Sequence, residues 1–306
     1  MYLYLPVALT SINIMIPIGL GLVVGLLSGL FGVGGGFLMT PLLIMFGIPS
    51  TVAAATDSNQ IVAASTSGTY AHWRVGNVDF KMGLYLLLGG FAGGLLGVQA
   101  IKILKATGNA DFAIKMTYVL LLGTVGTYMF FESISSMRKK KVETEVKPEK
   151  ESAFAKALSR LPMQTRFEKS GVTHSLLLPV IFGGFVGVLG AIMGVGGGFL
   201  MVPIMVYILR MPMHVVVGTS LFQILFNCIE VTFLQAYTNH SVDFVLAVLL
   251  LLGSTVGAQV GAVFGRKLKG EQLKVILAGI VLAVTVKIVF EITLTPALLL
   301  SQVGGH

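Results

Sequence analysis

The chain has 306 residues, 55% of them hydrophobic and only 11% charged, with a mean hydropathy of +0.90. Soluble domains carry about 25% charged residues, so this composition excludes an ordinary soluble domain and predicts a polytopic membrane protein. The formal net charge of +8 does not point to nucleic acid, because the basic residues collect between apolar segments, where they set orientation in a bilayer.

The stretch from Met1 to Trp73 holds one carboxylate, Asp57, and no Lys or Arg. It has no basic n-region, so the first span is expected to act as its own insertion signal. Five apolar segments are predicted as helices near 12–32, 35–48, 51–71, 79–101 and 112–134. Five more follow near 175–194, 197–210, 213–237, 242–265 and 271–294. Between them runs a polar stretch containing "MRKKKVETEVKPEKE", and "ESAFAKALSRL" within it reads as a short amphipathic surface helix. The division is therefore a first transmembrane repeat over 1–135, a basic cytoplasmic linker over 136–172 and a second repeat over 173–306. The lone Cys228 has no disulfide partner and reads as a small buried hydrophobe.

The halves repeat one another. "GLLSGLFGVGGGFLMTP" (Gly25–Pro41) aligns with "GVLGAIMGVGGGFLMVP" (Gly187–Pro203), and the eight letters "GVGGGFLM" are identical in both. Thr56 falls opposite Thr219 and Gln60 opposite Gln223. "NVDF" (Asn77–Phe80) matches "SVDF" (Ser241–Phe244), and "LLGGFAGGLLG" matches "LLGSTVGAQVG". Two copies make a duplication rather than a solenoid.

The second segment of each half offers about 13 residues where a full span needs about 20. A short helix after a glycine run suits a re-entrant hairpin or a broken helix, the sequence pointer to a transporter site. A hairpin returns to its own side, so three further crossings leave each half ending opposite its start. The fold class expected is thus an all-α polytopic membrane protein of two inverted repeats, each a broken hairpin plus three spans. Arg74, the ten Lys and Arg of 138–170, and Arg266, Lys267, Lys269 and Lys274 mark one side as cytoplasmic. Lys102, Lys105 and Lys115 fall on the other side and count against it.

Glycine without a Cβ lets successive N–H groups converge at a helix start, where the macrodipole is positive. Gly34, Gly35 and Gly36, with Gly196, Gly197 and Gly198, are therefore candidate anion-binding residues; close helix packing is the competing explanation. The run is not an ATP P-loop, because no Gly-Lys-Ser/Thr follows. It is not a dinucleotide fingerprint either, because Phe37 takes the third glycine position. Polar residues inside the spans join them. Thr56, Asn59 and Gln60 share a helix face, as do Thr219, Gln223 and Asn227. Interhelical hydrogen bonding is the bland reading of these six.

Asp57 has Ser220 as its counterpart and is the candidate for proton coupling, with Glu230 a weaker second. His72, Trp73 and Arg74 read as an interfacial anchor, or more sharply as an entry funnel for anions. No His or Cys pair has metal-ligand spacing, and no nucleophile triad or paired catalytic carboxylates stand out. No enzyme activity, cofactor or metal is therefore expected.

"GLLSGLFGVGGGFLMTPLL", "GVLGAIMGVGGGFLMVPIM" and "AHWRVGNVDFKMG" resemble the sulfite exporter TauE/SafE family of bacterial membrane transporters, over both halves but not the central loop. The resemblance implies a multi-pass carrier in the bacterial plasma (inner) membrane. It implies export of sulfite, sulfonates or related organosulfur anions, driven by the proton gradient. By position the family's glycine motifs fall on Gly32–Gly36 and Gly194–Gly198. The long basic loop departs from shorter members of the family and leaves room for a regulatory role. The expected partners are a small anion and the lipid bilayer, with no nucleic acid, and a homo-oligomer is compatible with the reading. Two other readings stay open: a carrier of a cation or neutral solute, with Asp57 as ligand, and a non-transporting scaffold acting through the loop.

Overall fold

A computed structural model describes residues 2–31, 35–138, 164–265, 279, 281–290 and 293. Residues 139–163 of the polar stretch, its expected surface helix among them, and Gly34 lie outside the described residues. The first half opens with a hairpin of β1 (Tyr2–Leu5) and β2 (Thr10–Asn13). It continues through α1 (Met15–Phe31), α2 (Gly36–Met45), α3 (Ser50–Arg74), α4 (Phe80–Ala106) and α5 (Ala110–Arg138). The second half repeats the order. Strands β3 (Gln164–Phe167) and β4 (Val172–Ser175) precede α6 (Leu177–Met193) and α7 (Gly198–Pro203), which runs on as a π-turn over Ile204–Ile208. Then come α8 (Met213–Leu234), extended by a π-turn over Gln235–Asn239, α9 (Phe244–Gly265) and α10 (Val281–Phe290).

The molecule is mostly helical, as expected. It departs from all-α in its two hairpins, which pack side chains into the core, Leu5, Ala8 and Ile12 from the first and Phe167, the counterpart of Leu5, from the second. These strands lack a long apolar run, which is why hydropathy passed over them. Among the described residues, three helices are long and apolar enough to cross a membrane: Phe80–Ala106, Val215–Asn239 and Phe244–Gly261.

The halves clasp each other through glycine. On α4, Gly89, Gly93 and Gly97 lie against the backbone of α6; a methyl group at Gly93 would come to 2.1 Å from the Gly184 carbonyl oxygen. On α9, Gly253, Gly257 and Gly261 lie against α1 in the same way, with 2.1 Å between a methyl at Gly257 and the Leu22 oxygen. Small residues every fourth position let helix backbones approach closely where lipid supplies no hydrophobic drive. The opposite face of α4 is apolar and bare: Leu84, Leu88 and Leu95 are about half-exposed. A helix apolar all round with one face uncovered suits a lipid environment.

Contacts along these seams advance in step, so α4 runs parallel to α6 and α1 parallel to α9. Helices α3 and α8 run antiparallel instead: Gly68 meets Leu221, Ile61 packs with Ile224 and Cys228, and Gly218 meets His72 and Asn77. Ile61 and Ile224 are counterparts in the repeat. So are Phe37 and Phe199, whose rings stack with centroids 4.8 Å apart. A residue touching its own counterpart is what a two-fold relation between the halves produces.

Candidate functional site

The glycine motifs break the chain where the sequence placed the break. Helix α6 ends on Gly194 at φ 74°, whose N–H returns to the Gly190 carbonyl, and Gly196 (φ 65°) and Gly197 (φ 81°) lead into α7. Gly35 does the same before α2, at φ 68°. A side chain at these left-handed positions would be strained. The break in the second half is pinned by the first: Tyr118 Oη donates to the Met193 carbonyl at 2.6 Å, and Ser58 Oγ to the Gly194 carbonyl at 3.2 Å.

Space at the motifs is already filled. A methyl at Gly36 would meet Ile61 at 2.2 Å, one at Gly196 would meet Cys228 Sγ at 2.3 Å, and one at Gly197 would meet Val186 at 2.3 Å. Close packing alone therefore accounts for the missing side chains. The same contacts place both motifs on the α3–α8 crossing: Gly36 lies against Ile61, and Gly196 against Ile224 and Cys228.

The polar candidates divide into two groups. Thr56 and Thr219 are buried and committed to hydrogen bonds. Thr219 Oγ1 accepts from the Asp79 N–H at 2.9 Å, and Thr56 Oγ1 accepts from the Asp243 N–H at 3.1 Å. The two aspartates, which the sequence reading did not single out, cap α4 and α9: Asp79 accepts from Met82 N–H at 3.0 Å and Asp243 from Leu246 N–H at 3.1 Å. Each also grips a hairpin turn. Asp79 accepts from the Ser170 N–H and hydroxyl, and Asp243 from the Val7 and Ala8 N–H groups. The signal was available, since "VDF" occurs in both halves and Asp is a preferred N-cap.

The second group stays unpaired. Gln60, Gln223 and Asn227 are at most 2% exposed, and neither amide atom of any of them has a partner among the described residues. Gln60 and Gln223 adjoin the Ile61–Ile224 contact at the crossing. The Asn227 amide lies over Gly90 of α4, where a methyl would come to 2.5 Å. Asn59 is only partly buried. Fully buried Asp57 accepts from Thr40 Oγ1 at 2.9 Å through one oxygen and leaves the other unpaired. Its bonded oxygen is 3.3 Å from where a Gly36 side chain would begin, so a carboxylate stands at the head of α2. Glu230, beside Gly94, also has one unpaired oxygen. Buried polar groups normally find partners, so these unpaired amides and carboxylate oxygens single out the interior where α8 packs between α3 and α4.

A duplicated helix break on a buried polar crossing, inside an apolar multi-helix scaffold, suits a membrane transporter, and the comparisons agree. The family described as "Sulfite exporter TauE/SafE" matches residues 17–288. The chain belongs to this family and is a multi-pass membrane transporter. It is similar to the probable membrane transporter protein YjnA of Bacillus subtilis (strain 168), 28% identical over 270 residues, covering 88% of this chain and 97% of that one. It is also similar to the probable membrane transporter protein YunE of the same organism, 25% identical over 287 residues, covering 91% and 98%. A shorter match, 32% identical over 115 residues, links it to the Sulfite exporter TauE/SafE family protein 1 of Arabidopsis thaliana, covering 37% of this chain and 25% of that one. No solved structure matches the chain.

Proposed function

We propose that the protein is a secondary carrier that exports small sulfur-containing anions, such as sulfite or sulfonates, across the bacterial inner membrane. In this reading the halves at 1–135 and 173–306 are inverted repeats joined by a cytoplasmic basic linker. The antiparallel run of α3 and α8, and the counterpart contacts Ile61–Ile224 and Phe37–Phe199, support the inversion. On the side that the positive-inside count opposes, Lys115 pairs with Asp111 at 2.9 Å, and Lys105 donates to the Asn239 carbonyl and Ser241 Oγ. Two of the three discordant lysines thus have local partners.

The observation that carries the reading is the set of unpaired polar atoms on the crossing. Gln60 and Gln223 supply amide donors beside it and Asn227 supplies another on the α4 side of α8, and the starts of α2 and α7 lie against the same contact with partial positive charge. Together they suit a small oxyanion without any buried Arg or Lys. Rocking of one half against the other about the α3–α8 crossing would expose the site to each side in turn. Asp57 supplies the coupling. Its fully buried carboxylate stands at the head of α2, so its protonation state acts on any anion held there.

The test is flux in proteoliposomes across sulfite, sulfonates, thiosulfate and carboxylates. Sulfur oxyanions should move, and Gln60→Leu and Gln223→Leu should each abolish flux in protein that still purifies folded. Transport of carboxylates alone, or full flux in both variants, overturns the assignment. Asp57→Asn should retain exchange but lose its response to a pH gradient. A Na⁺-dependent thermal stabilisation with none from sulfite would favour the cation reading instead.

A further inference from the structure

The two-fold repeat supplies an internal control for its own surface. Where the α3–α4 loop meets the β3–β4 hairpin there is an open cleft of about 510 Å³. Lys81, Arg166 and Lys169 line it, with Trp73, Phe80 and Glu168. Among the described residues the three cations form no ion pair: Lys81 Nζ sits 5.7 Å over the Phe167 ring, and Lys169 Nζ reaches towards Gly76. The other acid of the wall, Asp79, is already committed to the α4 cap and Ser170. The counterpart positions in the other half are Val245 for Lys81, Tyr4 for Arg166 and Val7 for Lys169. The charge is therefore no requirement of the fold, which builds the same corner from apolar residues elsewhere.

An aromatic track leaves this cleft along the helices. Trp73 packs edge-on against Phe80 (centroids 6.3 Å), Phe80 against Phe222 (5.2 Å), and Phe222 against Phe226 (5.1 Å). Trp73, Phe80 and Phe226 are 56%, 46% and 38% exposed. Cations at one end and an uncovered apolar strip at the other match an amphiphile in charge and in polarity. A free anion would use only the cleft. Trp beside basic residues is the composition of a membrane–water interface, and Lys and Arg there attract anionic lipids.

We propose that this corner is a binding site for one anionic phospholipid, its phosphate held by Lys81, Arg166 and Lys169 and its acyl chain laid along Trp73, Phe80, Phe222 and Phe226. The site is separate from the transport crossing and does not depend on what the carrier moves.

The full-length protein in detergent, titrated with phosphatidylglycerol and followed by native mass spectrometry and thermal unfolding, tests this. Wild type should retain one tightly held phosphatidylglycerol and unfold at higher temperature in its presence, while phosphatidylcholine and inorganic phosphate do neither. At roughly fivefold per basic residue, the triple variant K81Q/R166Q/K169Q should lose roughly 100-fold in affinity. Trp73→Ala should weaken phosphatidylglycerol binding with the cations intact, and Glu168→Gln should strengthen it. Should the triple variant fail to fold, the Trp73 and Glu168 variants carry the test. Undiminished lipid retention in the triple variant overturns the proposal. So does stabilisation by inorganic phosphate equal to that by lipid, which would make the cleft a plain anion site.

Discussion

The clamps at Asp79 and Asp243 do the same work on either side of the α3–α8 crossing with different materials. Each aspartate caps a helix of one half, lends its own N–H to a threonine of α3 or α8, and grips a hairpin turn. At Asp79 the turn answers with a side-chain hydroxyl as well as an amide, both from Ser170. At Asp243 it answers with two backbone amides, from Val7 and Ala8. One clamp can therefore lose a bond when a turn side chain is truncated, whereas in its turn the other loses one only to a proline that removes a backbone N–H. In the proposed rocking of one half against the other, the duplicated geometry would let the two clamps differ in strength.

The largest effects should fall equally on both halves. Gly93→Val and Gly257→Val drive side-chain carbon into backbone carbonyls at 2.1 Å, and each should cost about 3 kcal/mol or more. The expected outcome is loss of monodisperse protein on size exclusion, and normal yield of either would break the symmetry of the seams. Next come the aspartates. Asp79→Ala and Asp243→Ala each remove a cap and the grip on a turn, worth about 2–3 kcal/mol. Thermal unfolding in detergent should fall by similar amounts for both, with Asn at either position recovering part of the loss because it also caps. Thr56→Val and Thr219→Val orphan one buried N–H each and should cost about 1–3 kcal/mol. Ser170→Ala should cost about 1 kcal/mol. If transport rates are compared as well, this smallest change should alter flux from one side more than from the other in oriented vesicles, and equal effects would deny the clamps a gating role.

Much of the helical framework was legible in the sequence. Nine of the ten apolar segments lie close to described helices, and Val281–Phe290 falls inside the tenth, because uncharged apolar runs between charged loops admit few other readings. The glycine breaks were legible for a related reason, since an exact duplication beside short segments has few structural causes. The hairpins were not legible, because four-residue strands held by one buried side chain each leave no periodic signal. Nor was the division among the polar residues. Thr56 and Gln60 lie four positions apart on one helix face and look alike in sequence, yet Thr56 meets the Asp243 N–H while Gln60 has no partner among the described residues.

By itself, then, the sequence determined the membrane class, the duplication, the places where helices break and the list of polar residues inside the spans. These depend on local composition and on spacing along one chain. Only the tertiary structure decided that α3 and α8 cross at counterpart residues, that Thr56 and Thr219 serve the clamps, and that a basic cleft has an apolar twin. Each of these joins residues from different halves of the chain. Hydrogen bonding and desolvation act through space, so the partner that turns a buried polar group into a structural bond, or leaves it unpaired at a site, is fixed only once the halves have packed.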